Sequence, residues 1–171
     1  GNTLEQNKSW LLDIYMVGVM IFVLAVDQFT KWIVKENLFI GQSFPEEGFF
    51  RFTHTLNTGS AFGLFRGQTT FLLIASVAAI IILLLYFKNS DLPPLILRTC
   101  LGMQIGGALG NLLERITIGH VTDFIDVGPW YIFNIADSAI VISIFIIIWT
   151  YIKNPPTEST EGNDERTADK N

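Results

Sequence analysis

The sequence predicts a mainly α, integral-membrane fold: a bundle of four transmembrane helices with a small β-sheet lying on the membrane surface. Three observations predict it. Half of the 171 residues are hydrophobic and the mean hydropathy is +0.42, more clustered apolar sequence than a soluble domain of this size can bury. The apolar residues collect in four runs, 14–26, 71–87, about 95–116 and 136–152. Between the first two runs the pattern changes to a period of two, the signature of a strand. Residues 1–153 read as one membrane-embedded domain, and 154–171 as a disordered polar tail.

Charge excludes little. The net charge of −5 is unevenly placed: the tail, with five acids (Glu158, Glu161, Asp164, Glu165, Asp169) against Arg166 and Lys170, holds most of it, and the remainder is close to neutral. No basic cluster suggests nucleic acid. Cys100 is the single cysteine, so an internal disulfide is excluded, and its apolar surroundings make it a small core residue. Gly1 in place of Met suggests that the first residue or two are foreign to the fold.

The first run is too short alone for a hydrocarbon core that needs about 20 helical residues. The helix must extend over Trp10 to Trp32 or beyond, with Trp10, Tyr15 and Trp32 suited to the two interfaces. It is not a cleavable signal, because Asp27, Lys31 and Lys35 follow where small residues would be required. Asp27 and Lys31, four apart with the acid first, make a favoured helical pair or orient a partner at the surface.

Phe50, Phe52, His54 and Leu56 alternate with Arg51, Thr53, Thr55 and Asn57, so a strand with one apolar face is expected. Residues 38–44 are its expected partner, with Pro45 to Gly48 as the turn; His54 reads as a packed residue. Such a sheet must lie on the membrane, since lipid would leave its edges unsatisfied. Asn57 and the small residues after it favour a turn where a backbone or ligand comes close.

Phe71 to Phe87 is an uncharged span, linked by residues 88–94 to the third helix. There Gly102, Gly106 and Gly110 recur every four residues, a small face for close helix packing. Asn111 and Arg115 share a face at its end, with Glu114 leaning elsewhere. The fourth span, Ala136 to Ile152, opens with Asp137, a residue type also common as a helix cap. Folded antiparallel, the helices bring Asp27, Asn57, Asn111, Arg115, Asp123, Asn134 and Asp137 to one level on one side. Lysine and arginine do not decide which side that is.

Ionisable residues at membrane depth mark function. Asp123 and Asp137, flanking an aromatic loop, suit a paired-carboxylate site, in which one proton is shared and a water is activated. Asp126, nearby, reads as a loop or rim residue. No Ser or Cys stands with a His and an acid, and His54 and His120 lack metal-ligand spacing, so no metal or cofactor is expected. A small proton-coupled transporter is the alternative, but it would carry polar groups at mid-depth, where 71–87 and 138–152 are almost wholly apolar.

The segments DQFTK (27–31), NTGSAFG (57–63), GGALGNLLER (106–115), GHVTDFID (119–126) and FNIAD (133–137) together resemble the ordered motifs of bacterial lipoprotein signal peptidases, signal peptidase II. The resemblance implies an aspartic endopeptidase of the bacterial inner membrane, multi-pass, with both termini cytoplasmic and an extracytoplasmic sheet. It implies a diacylglyceryl-prolipoprotein substrate, cut before its lipidated cysteine near the outer leaflet. Asp123 and Asp137 match the family's catalytic aspartates. Asp27, Lys31, Asn57, Gly59, Asn111, Arg115, Asn134 and Ala136 match its other motif positions, expected to bind substrate or orient the site. Glu114 stands where many relatives have Asp. Membrane lipid is an expected partner, and a monomer the expected state.

Overall fold

In α1 (Asn2–Asn37), the buried positions Val23, Asp27, Lys31 and Val34 lie three and four apart, on one face. Ile21, Phe22, Phe29 and Trp32 on the remaining surface are each more than half exposed. A helix in water does the reverse, so hydrocarbon is the solvent of this surface and the charged groups are the interior. The computed structural model describes residues 2–58, 78, 81, 85 and 92–154. Among them, α1 from Ser9 and α3 (Ile135–Lys153) are long and apolar enough to cross a membrane.

Between these two lies α2 (Pro94–Thr117), which starts with proline in its first turn, where no amide donor is needed. Its small residues admit both neighbours. A Cβ on Gly106 would come within 2.6 Å of the Met20 carbonyl of α1, and one on Gly107 within 2.6 Å of the Ala136 carbonyl of α3. At one end of the bundle Leu92, Leu97 and Leu101 pack with Met16, Ile147 and Tyr151. The other end is polar and carries the sheet. The second expected span, 71–87, lies outside the described residues except for Ala78, Ile81 and Leu85, each helical. The polar tail from residue 155 also lies outside them.

The sheet has three antiparallel strands in the order β1 (Ser43–Phe44), β2 (Arg51–Asn57), β3 (Val121–Asp126). Three expectations change here. The partner segment 38–44 supplies only the two residues of β1. The strict alternation along β2 is broken: a register shift between Phe52 and Thr55 buries Thr53 and His54 together, while Phe50 and Phe52 stand exposed. The loop expected to carry Asp123 is instead strand β3, bounded by Gly119 and Gly128, both at positive φ.

Candidate active site

A short pairing just after β3 brings the two aspartates together. The Phe133 carbonyl accepts from the amides of Phe124 and Ile125, and the Phe133 amide donates to the Ile125 carbonyl, so the intervening loop folds back on the strand. Asn134, the next residue, thereby lies beside Asp123 and caps α3. Its Oδ1 accepts from the Asp137 amide at 2.9 Å, while its own amide donates to Asp137 Oδ2 at 3.2 Å, a reciprocal capping box. The Asn134 side-chain amide donates to Asp123 Oδ1 at 2.7 Å. One residue therefore holds both carboxylates. Asp137 thus belongs to the capping box of α3 and to the candidate site at once.

Each aspartate has a second donor. Asn57 Nδ2 reaches Asp123 Oδ2 at 2.9 Å, and Asn111 Nδ2 reaches Asp137 Oδ1 at 2.8 Å. The orientation of the Asn111 amide is forced, because its Oδ1 accepts from Lys31 Nζ and from Asn134 Nδ2, both at 3.0 Å, and lysine can only donate. Asp123 is 3% exposed. Burial, reinforced by the charge of Asp137, pushes its carboxyl up to about 7 against the opposing amides of Asn57 and Asn134.

Behind the pair runs a chain of alternating charge, buried at Asp27, Lys31 and Glu114 and reaching the surface at Lys35. Lys31, with no exposed surface, meets Asp27 Oδ2 at 2.8 Å and Glu114 Oε2 at 3.4 Å, and Lys35 meets Glu114 Oε1 at 3.0 Å. Two acids and two bases leave the chain neutral, which makes the burial of Asp27, Lys31 and Glu114 tolerable. Asp27 Oδ1 also accepts from the Ala136 amide at 2.9 Å, tying α1 to the first turn of α3. Asp27 and Lys31 thus form the helical pair and serve the site as well. The packing here leaves no room above Gly110, where a Cβ would fall 2.5 Å from Asp27 Oδ2.

The structure brings together Asp27, Lys31, Asn57, Asn111, Asp123, Asn134, Ala136 and Asp137. Arg115 is half-buried and enters none of the ion pairs above. Gly59 lies outside the described residues. Asp126 is corrected: it is a buried structural acid. Its Oδ2 takes Thr53 Oγ1 at 2.8 Å and Arg51 Nη2 at 2.7 Å, and its Oδ1 takes the Gly128 amide. The Thr53 hydroxyl, with the Gly128 amide and Arg51, holds its carboxyl below the usual range. Sequence reasoning missed Glu114, Lys35 and Gln28, the last donating to Asp27 Oδ2 and to the Gly110 carbonyl. The spacing of Asp27, Lys31 and Lys35, four apart on one face, was the available signal. A cavity of about 350 Å³ adjoins Asp137, lined by Trp130, Tyr131, Phe133, Val141 and Ile142.

Comparison with known proteins places this arrangement. A family model described as signal peptidase (SPase) II matches residues 19–153. The lipoprotein signal peptidase of Dehalococcoides mccartyi is 40% identical over 155 residues, 88% of this chain and 94% of that protein. Those of Moorella thermoacetica (42% identical; 75% of this chain, 87% of that protein) and Bacillus subtilis (36%; 78% and 88%) are also similar. A solved structure described as a bacterial membrane enzyme superposes with a TM-score of 0.73 at 32% identity, covering 88% of this chain and 94% of that one. With the family model covering α1 from residue 19, all of α2 and α3, the sheet and every described site residue, the chain belongs to the signal peptidase II family of membrane peptidases.

Proposed function

We propose that the chain is a lipoprotein signal peptidase: an aspartic endopeptidase of the bacterial inner membrane that hydrolyses the bond before a diacylglyceryl-modified cysteine. The observation that carries this reading is the pair of Asp123, buried, and Asp137, partly buried, both held by Asn134. The pair shares one proton at working pH, and its apparent pKa values belong to both groups. Asp123, raised to about 7, is the member suited to hold that proton.

The reaction follows from that protonation state. The ionised aspartate takes a proton from a water whose oxygen bonds to the scissile carbonyl carbon. The protonated aspartate gives its proton to the carbonyl oxygen, forming a neutral tetrahedral diol. Collapse breaks the C–N bond as the dyad returns a proton to the departing amine and recovers one from the diol. Asn57 and Asn134 supply donors to the Asp123 carboxylate as its charge changes, while Asn111 and Arg115 orient an aspartate or bind substrate carbonyls. Asp27, Lys31 and Ala136 fix the helix ends beneath the pair. Gly59 allows the substrate backbone a close approach.

Location supports the substrate class. The polar end of the bundle lies where helices end and the sheet begins, so the dyad is at interface depth. A cysteine anchored by its acyl chains presents the adjoining bond at that depth. The aromatic cavity beside Asp137 suits the apolar signal segment. In this reading four spans cross the membrane, both termini are cytoplasmic, the sheet is extracytoplasmic, and the working unit is a monomer needing no metal or cofactor. The test is cleavage by purified protein in detergent with a chelator present. A diacylglyceryl-prolipoprotein is expected to be cut before the cysteine and the unmodified precursor left intact. Equal cleavage of both, or no cleavage until metal is restored, would contradict the reading.

A further inference from the structure

We infer that Glu114 is a positioning residue for the peptidase reaction, holding Asp123 at its working distance from Asp137 through the backbone of Thr122. The inference rests on the aspartic reading above. Glu114 is 2% exposed, and each of its oxygens has two donors. Oε2 accepts from the Thr122 amide at 2.8 Å and faces Lys31 at 3.4 Å. Oε1 accepts from Thr122 Oγ1 and from Lys35 Nζ, both at 3.0 Å.

This geometry joins three elements at one carboxylate. Glu114 is on the last turn of α2, its lysines are on α1, and Thr122 is on β3 immediately before Asp123. Thr122 has no exposed surface, and its carbonyl accepts from Asn134 at 3.4 Å. Asp137, by contrast, is fixed from α3 and by Asn111 of α2. The two aspartates thus hang from α2 by separate ties: Asp137 through Asn111, Asp123 through Glu114 and Thr122. A carboxylate is required because all four neighbours donate. An amide in its place would aim its NH₂ at two of them, and the strand would shift to relieve the conflict. Aspartate could keep both acceptor oxygens with a small movement of the strand. A misplacement on the order of 1 Å at a catalytic pair is worth about 100-fold in rate.

Steady-state cleavage of a diacylglyceryl-prolipoprotein tests this, alongside the thermal unfolding midpoint of each variant. Glu114→Gln is expected to lower kcat by at least about tenfold with KM within about twofold of the parent, and Glu114→Asp to recover most of that loss. Thr122→Val, which removes the hydroxyl and keeps the amide, is expected to lower kcat less. Acting through the same strand, the double variant Glu114→Gln/Thr122→Val should be no slower than Glu114→Gln alone. Should Glu114→Gln fail to fold, the Glu114→Asp and Thr122→Val pair completes the same cycle. Unchanged kcat in Glu114→Gln, or losses that multiply in the double variant, would overturn the inference. If Asp123→Asn is inactive while Glu114→Gln is fully active, only the positioning role fails. If Asp123→Asn is active, the aspartic reading itself has failed.

Discussion

Replacing Asp123 with asparagine should destroy activity and yet stabilise the protein, by an amount that depends on pH. The folded carboxyl, raised to about 7, sits above the ordinary unfolded value near 4. Between those values the folded state binds the proton more tightly, so stability falls as pH rises through the window, and above it the whole penalty is felt. At 1.36 kcal/mol for each pH unit, the penalty is at most about 4 kcal/mol. The neutral amide introduced by Asp123→Asn would avoid it at little loss of bonding. Its carbonyl can accept from Asn134, whose orientation is locked by the Asp137 amide, and a turned Asn57 amide can accept from its NH₂. For a chain of this size one kcal/mol corresponds to roughly 2–4 °C. Thermal unfolding in detergent should show midpoints matched near pH 4 and Asp123→Asn ahead by several degrees at pH 8. A constant difference across pH, or a variant less stable at pH 8 than at pH 4 relative to the parent, would refute the assignment of strain to this carboxyl.

Two further outcomes follow from the packing around the pair. Asn134→Ala removes a helix cap worth about 1–2 kcal/mol together with the shared donor, so a small fall in unfolding midpoint should accompany near-complete loss of cleavage; retained activity would separate the cap from the chemistry. Gly110→Ala places a methyl 2.5 Å from Asp27 Oδ2, whereas Gly18, also on a helix, has nothing within 4 Å. Gly110→Ala should therefore lower both stability and cleavage, by about 1–3 kcal/mol in stability, while Gly18→Ala leaves both unchanged; equal behaviour of the two would contradict the close approach.

Much of the fold was legible because its periodicities are local. The apolar runs that became α1 and α3, the small-residue face of α2, and the strand 51–57 each repeat at the spacing of their element. The third strand was not, because Asp123 and Asp126 interrupt an otherwise β-prone run. Val121, Thr122, Phe124 and Ile125 between two turn glycines were the signal available. Convergence of the polar residues could be argued from helix ends alone. The buried places of Glu114 and Asp126 could not. Both depend on partners distant in sequence, Lys31 and Lys35 for Glu114 and Arg51 and Thr53 for Asp126, and no local pattern encodes those meetings.

The most direct measurement on the paired aspartates is single-turnover cleavage of a diacylglyceryl-prolipoprotein by Asp123→Asn and Asp137→Asn, each made alone and each shown to be folded. Both should lose the chemical step entirely while still binding the substrate, since one carboxylate cannot serve as both base and acid. Cleavage by either variant at a rate near that of the parent would contradict the two-aspartate mechanism.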